Sequence, residues 1–308
     1  MKIITCPAFT PNGGIRIILE VAHRLNATIF SDHTTCDWFD IKVPITNDIN
    51  VLKEAEVLII SSPHHIHLAD LKIKAKKVAF FQMLEHLFTN DRVFLNRCKR
   101  WYQLPGLIIS RWGMDELNKM GNMRLRYIGN GVNFDDFPIY STKKDNKTIL
   151  LESPEPINKS KDKNRIALSV AKRLKSEGYN IIGYGAIKPD LDCEFYVCPD
   201  LKTLNKLYRD ATIMIKATVY DFRSTAPMEA GTKGTVTARA IMQGDDDLID
   251  GFNCLRVPYN ENELYRISKT LLEREELRNT LAKNMTNYLK ENSWEKVMIQ
   301  WNQALDSF

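Results

Sequence analysis

Two carboxylates draw attention by their spacing: Asp221 and Glu229, with seven residues between them in Tyr220-Asp221-Phe222-Arg223-Ser224-Thr225-Ala226-Pro227-Met228-Glu229-Ala230. Pro227 suits the first turn of a helix, so Ser224 and Thr225 precede or begin it. Free backbone N–H groups at such a start form a ready anion site for a diphosphate. Arg223, in the same turn, adds a charge-assisted contact. The plainer alternative is a capped helix carrying an ordinary carboxylate. Histidines offer a second chemistry: His64, His65 and His67 follow the apolar run 57–61, and His86 follows Glu85 after another. The spacing His65-x-His67 suits chelation, but no third ligand is evident, so no essential metal is expected. His65, His67 and Glu85 read instead as acid–base groups or substrate contacts in a cleft. Asp245-Asp246-Asp247 invites a cation too, yet an acidic loop tip is the commoner explanation.

These groups need elements to hold them. Apolar runs of strand length alternate with amphipathic stretches of helix length, the signature of parallel sheets. The expected strands of the first half are Lys2–Cys6, Thr28–Ser31, Val57–Ser61, Val78–Gln82 and Leu107–Ser110. Behind the turn Pro11-Asn12-Gly13-Gly14, residues Ile15, Ile18, Leu19, Ala22 and Leu25 sit at helical spacing. Gly13 and Gly14 would form the loop that lets a backbone approach a phosphate, or simply a turn. The polar, Lys-rich segment from Asp135 to Asn146 reads as a linker. A second series then predicts strands at Thr148–Leu151, Ile181–Tyr184, Glu194–Val197, Ile213–Lys216, Gly234–Arg239 and Asn253–Val257. Its helices fall at Asp162–Glu177, Leu201–Asp210, briefly after Pro227, over Glu261–Lys290 and around Trp294–Leu305. The fold class is α/β: two Rossmann-like, doubly wound domains facing a cleft. The expected domains are 1–140, joined by a terminal helix over 291–308, and 145–290.

Four blocks, in order, carry a resemblance. The segment from Asp221 to Glu229 resembles the acid-x7-acid donor-site stretch of GT-B glycosyltransferases of family-4 type, with Asp in the first place. Gln243-Gly244-Asp245-Asp246-Asp247-Leu248-Ile249-Asp250-Gly251-Phe252-Asn253 is similar to the family's Gly-Gly-x-x-Glu-Leu-Ile block, with Gln for Gly and Asp for Glu. Asn130-Gly131-Val132-Asn133 resembles its inter-domain hinge, and Ser293-Trp294-Glu295 the start of its last helix. The resemblance implies a GT-B fold and transfer of a sugar from a nucleotide-sugar, a UDP-sugar in expectation, to an acceptor hydroxyl with retention. It implies that Glu229 binds the ribose hydroxyls and Asp221 lies near the transferred sugar. Gly13, Gly14, Lys161, Arg223, Ser224 and Thr225 then serve the diphosphate. The family's phosphate-binding Arg after the first strand of the second domain has no counterpart here, and Arg223 is the candidate to replace it.

Composition bounds the rest. The chain has 308 residues, 44% hydrophobic and 26% charged, which suits a soluble protein of about two domains and excludes collagen, coiled coil and disulfide miniprotein. No apolar run approaches the roughly 20 residues of a membrane helix, and Pro7 interrupts any leader-like stretch, so a cytoplasmic protein is expected. Six scattered cysteines read as reduced thiols. Charge is uneven: 71–101 holds eight Lys/Arg against two acids, and 141–175 ten against four. Such a surface steers a polyanion. In its compact first domain and Lys/Asn/Ile-rich usage the chain is similar to short phage GT-B enzymes that glycosylate hydroxymethylated bases in duplex DNA. A hydroxymethylated base in duplex DNA is the favoured acceptor, and a surface glycan or lipid-linked acceptor is the alternative. His65, His67, Lys99 and Arg100 are the expected acceptor contacts, within a track that includes Lys72, Lys74, Lys76, Lys77 and Arg97. A sugar-nucleotide epimerase and a binding protein that has lost catalysis are the alternative functions.

Overall fold

The computed structural model describes residues 1–10, 12–140, 144–153 and 165–308. The chain divides into two units, Met1–Asn130 with Val297–Phe308, and Gly131–Lys296. The division falls ahead of the polar stretch 135–146, because Phe137 is buried in the second unit's core.

The first unit runs β1 (Lys2–Thr5), α1 (Gly13–Leu25), β2 (Thr28–Phe30), β3 (Ile45–Thr46), β4 (Val57–Ile60), β5 (Lys76–Phe81), α2 (Arg92–Trp101), β6 (Gly106–Ile108), α3 (Arg111–Lys119) and β7 (Leu125–Tyr127). Its strands pair in parallel in the order β3-β2-β1-β4-β5-β6-β7. The interior strand β4, Val-Leu-Ile-Ile, is buried throughout, as a parallel strand covered on both faces must be. Helix α1 starts where Asn12 Oδ1 accepts the Ile15 N–H at 2.9 Å and stops at Asn26, which turns left-handed (φ 49°). Strands β3 and β7 and helix α3 were not expected. The two strands have two and three residues, too few to show an alternation. Gly13 and Gly14 are the first residues of α1 rather than a loop ahead of it, a correction that follows from Asn12 being the cap.

The second unit runs β8 (Thr148–Ser153), α4 (Arg165–Ser176), β9 (Asn180–Gly185), β10 (Glu194–Val197), α5 (Leu201–Asp210), β11 (Ile213–Asp221), α6 (Thr225–Gly231), β12 (Val236–Gly244), β13 (Leu255–Val257), α7 (Glu261–Glu273) and α8 (Glu275–Glu291). Here the parallel order is β10-β9-β8-β11-β12-β13. A last helix, α9 (Trp294–Asp306), has its residues from Val297 in the first unit. There Trp301 packs edge-on against Phe80 at 4.8 Å and donates to the Gly129 carbonyl at 3.2 Å.

Two strands run past their expected ends. β11 continues beyond Lys216 to Asp221, and β12 beyond Arg239 to Gly244, paired residue for residue as far as Asp221 with Gly244. The polar residues at these ends resemble loop in sequence, but the ladder between the strands holds them extended. The register sets Lys216 beside Arg239. Gly244 ends the pair at φ +92°, and a Cβ there would lie 1.8 Å from the Asp221 carbonyl oxygen. Only glycine fits so close a backbone approach. Gly244→Ala is expected to cost about 2 kcal/mol or more of folding stability, read as a lowered midpoint in chemical denaturation. An unchanged midpoint would contradict that close approach.

Candidate functional site

Asp221, Ser224 and Glu229 gather at the carboxyl end of β11, the edge where α/β sheets place ligands. Asp221 ends the strand, Ser224 precedes α6, and Glu229 lies inside that helix. Pro227 is the third residue of α6, so the helix begins at Thr225, ahead of the proline and not after it. Ser224 does not cap the helix with its side chain. Its hydroxyl donates to Asp221 Oδ2 instead.

Asp221 belongs to a buried charged cluster that reaches across three strands. Arg239 Nη2 donates to Asp221 Oδ2 at 2.9 Å and to Thr218 Oγ1 at 2.8 Å. Lys216 Nζ pairs with Glu152 of β8 and stands 3.9 Å from Asp221 Oδ2. Burial pushes the Asp221 carboxyl up, but Lys216 and then Arg239 outweigh it and hold it below the ordinary value. Burial likewise lowers Lys216, and Glu152 with Asp221 reverses that and raises it. Both groups therefore stay charged. Every contact to Asp221 falls on Oδ2, so among the described residues Oδ1 is left to accept a hydrogen bond.

Glu229 is buried, and Tyr208 of α5 donates its hydroxyl to Glu229 Oε2 at 3.0 Å. The Tyr208 hydroxyl lies 3.2 Å from that of Tyr184 on β9. Burial, then Tyr184 and Glu229, raises the Tyr208 phenol well above its ordinary value, so it remains a donor.

Arg223 departs from expectation. Its guanidinium makes a two-pronged pair with Asp247, both side chains almost wholly buried, and Tyr288 of α8 donates to the same carboxylate. It is a structural clasp and does not stand open toward a phosphate. The acidic run is corrected with it. Asp245 and Asp247 are buried partners of Arg239 and Arg223, not a solvated loop tip. Asp245 Oδ2 lies 3.0 Å from Arg239 Nε, yet neither carboxylate oxygen receives a well-directed hydrogen bond from the described residues. Burial, against the pull of Arg239 and with the push of Asp221 and Asp247, raises Asp245 to about 7.

In the first unit, His65 is buried with Nδ1 unpartnered among the described residues, its ring 6.4 Å from that of His67. Burial first, then His67, lowers it to about 4, which leaves it neutral at pH 7. His86 Nδ1 lies 3.0 Å from the Tyr102 hydroxyl, and Glu85 opens the same short 3-10 turn, 85–88. Lys99 is exposed in the last turn of α2. Arg100 is not free, since its Nη2 contacts both oxygens of Asp70 at 2.7 Å. Lys77 is turned to the carbonyls of Ala69 and Leu71. Lys161, with Lys159, lies outside the described residues. Among the described residues no cluster of three His, Cys, Asp or Glu could hold a metal ion, and no helix is long and apolar enough to cross a membrane.

Sequence reading missed Lys216, Arg239, Tyr208 and Tyr288. A signal existed for the first two: each is a single cation inside an apolar strand, Ile213-Met214-Ile215-Lys216-Ala217 and Ala238-Arg239-Ala240-Ile241. Charges in such places are nearly always paired.

No sequence-family profile and no curated protein matches the chain. In fold it is similar to HepE of Anabaena, solved with UDP and glucose, at TM-score 0.82 and 12% identity over 100% of both chains. WaaG, a glycosyltransferase involved in lipopolysaccharide biosynthesis, gives 0.73 at 12% identity, covering 99% of this chain and 98% of that one. A glycosyltransferase of Rickettsia africae gives 0.76 at 14%, covering 99% and 97%.

Two expectations follow from the buried charges. Arg223→Ala leaves Asp247 buried without its cation, which should cost roughly 3–5 kcal/mol of stability in denaturant titration; a loss below 1 kcal/mol would contradict the clasp. Asp245 gives a pH signature. An acid whose pKa rises on folding supports the fold fully below its unfolded value, 3.8, and loses that support as pH climbs to about 7. Asp245→Asn should therefore remove a stability decline between about pH 4 and 7, seen as a melting temperature that falls less with pH than the wild type's. Parallel pH profiles would contradict the buried, unbonded carboxyl.

The chain has the GT-B fold, two parallel-sheet Rossmann-like units.

Proposed function

We propose that the protein is a glycosyltransferase that takes a sugar from a UDP-sugar and delivers it to a hydroxyl of a glycan or lipid-linked glycan. The observation that carries this reading is the fixed pair of acids at the carboxyl edge of the second sheet. Glu229 is oriented by Tyr208, and Asp221 is anchored through one oxygen with the other left to accept. Two adjacent hydroxyls of a ribose suit the first, and a sugar hydroxyl suits the second. The fold likeness to HepE, solved with UDP-glucose, and to WaaG supports the same reading.

In such a transfer the bond between the anomeric carbon and the phosphate oxygen breaks, and charge grows on the departing diphosphate. The leaving phosphate takes the acceptor's proton as the new bond forms on the same face, so retention requires no separate base. Lys161 remains the proposed cation for the diphosphate. With Arg223 turned to Asp247, a protein that binds the nucleotide-sugar without transferring it is the second reading. Duplex DNA as acceptor gains no support, since Arg100 and Lys77 of the basic track are held by Asp70 and by backbone carbonyls.

Incubation of the purified chain with UDP-sugars and detection of released UDP tests the reaction. Binding without release would favour the second reading. Glu229→Ala should weaken UDP affinity by about one to two decades. Tyr208→Phe should weaken it by several-fold, and less for a 2′-deoxy analogue than for UDP, because only the ribose hydroxyls sense the carboxylate's orientation. Unchanged affinity in a folded Glu229→Ala protein would remove the ribose assignment.

A further inference from the structure

The second unit holds a cavity of about 500 Å³ that the acids above do not touch. Lys144, four residues ahead of β8, and Gly234, two ahead of β12, form part of its wall. Since β8, β11 and β12 are parallel, this is the amino edge of the sheet, opposite the edge that bears Asp221. Helix α8 turns one stripe to the cavity: Glu275, Arg278, Asn279, Lys283 and Asn287, at spacings of three and four that share a face. The stripe is mostly polar and exposed, with Ala282 and Thr286 among its members, whereas Leu281, Met285 and Leu289 alongside are buried.

The wall is cationic with donors to spare. Arg278 is 2% exposed, and its Nη1 donates to the carbonyls of Leu271 and Leu272 and its Nη2 to Asn146. Its Nε is buried with no partner among the described residues. Lys144 Nζ donates to the Arg209 carbonyl at 2.7 Å and to Thr235 Oγ1 at 3.0 Å, which leaves one of its three N–H groups without a partner among the described residues. Burial, only partly offset by Asp210 and Asp145, lowers this ammonium to about 8, so a further anion beside it would be welcome. The neighbouring acid Asp145 is already occupied by the hydroxyls of Thr148 and Thr212 and by two backbone N–H groups. Glu275 is the acid on the wall, against Lys144, Arg278 and Lys283. Tyr140 adds an aromatic face, with Lys233 Nζ 4.3 Å from the ring centre on one side.

We propose that this cavity binds a small phosphate monoester carried on a polar ring, of sugar-phosphate or mononucleotide size. The phosphate would take the spare N–H of Lys144 and the exposed ammonium of Lys283, with the buried Arg278 adding charge behind the wall. The ring would meet Tyr140 and the amides of Asn279 and Asn287. The volume falls within the range of ordinary small-molecule sites, and an isolated inorganic ion would leave most of it unfilled.

The test is calorimetric titration of the full chain with inorganic phosphate, ribose 5-phosphate and AMP. Ribose 5-phosphate or AMP should bind at least about tenfold more tightly than inorganic phosphate, and their ranking distinguishes sugar phosphate from nucleotide. Arg278 holds the end of α7, so its removal risks the fold. The exposed pair Lys283→Glu with Asn287→Asp instead puts like charge at the wall and should weaken binding by about tenfold or more. Glu229→Ala should leave it unchanged. Binding lost in Glu229→Ala but kept in the cavity variant would place the ligand at the other edge and overturn the proposal. So would equal affinity for inorganic phosphate, or no binding of either organic probe at millimolar concentration. None of these outcomes depends on whether the chain transfers sugar.

Discussion

Two cations side by side in the middle of a sheet govern the second unit. Register places Lys216 of β11 beside Arg239 of β12, the arginine side chain fully buried and the lysine nearly so. Desolvating even one such ion costs several kcal/mol, so acids must accompany them. Glu152 comes from β8, Asp221 from the end of β11, and Asp245 from the turn after β12. Apolar side chains of equal volume would hold β11 to β12 at least as well. What the charges add is orientation: Asp221 is pinned at the sheet's carboxyl edge by one oxygen that meets Ser224, Arg239 and Lys216 together.

The seven-residue spacing acquires its meaning from this anchoring. Between Asp221 and Glu229 the chain leaves a strand, turns, and enters a helix of seven residues, 225–231. The turn is clamped by Arg223 on Asp247, and the helix lies so near α8 that a Cβ on Gly231 would be 2.5 Å from Met285 Cγ. Glu229 therefore has little freedom before Tyr208 reaches it. Placement of the two acids is a property of the packing around a short segment rather than of the segment itself.

That division explains what sequence could show. The alternation of apolar runs revealed the parallel α/β architecture, and α5 falls over Leu201–Asp210 as its spacing predicts, because Leu204, Leu207 and Tyr208 face inward. Asp221 and Glu229 were visible as a spacing. Their partners were not, because Arg239 of β12 and Tyr208 of α5 come from other elements and meet the acids only in the fold. The same ignorance misread Arg223 and Asp245–Asp247. Read locally, a cation in a turn and a run of acids look solvent-facing, whereas here each neutralises another across a buried gap. The short edge strands escaped for a different reason: two or three residues carry no period.

Helix α8 is where the two edges of the sheet meet one rigid element. One side carries Met285 and Leu289 into the core and Tyr288 onto Asp247; the other lines the polar cavity. Met285 packs where Gly231 leaves no room for a Cβ, and Tyr288 bonds Asp247, so α8 cannot turn about its axis without losing both contacts. Its polar residues, most of them exposed, are thus carried at the amino edge of the sheet by contacts made elsewhere on the helix. The same apolar side keeps Glu229's helix in place.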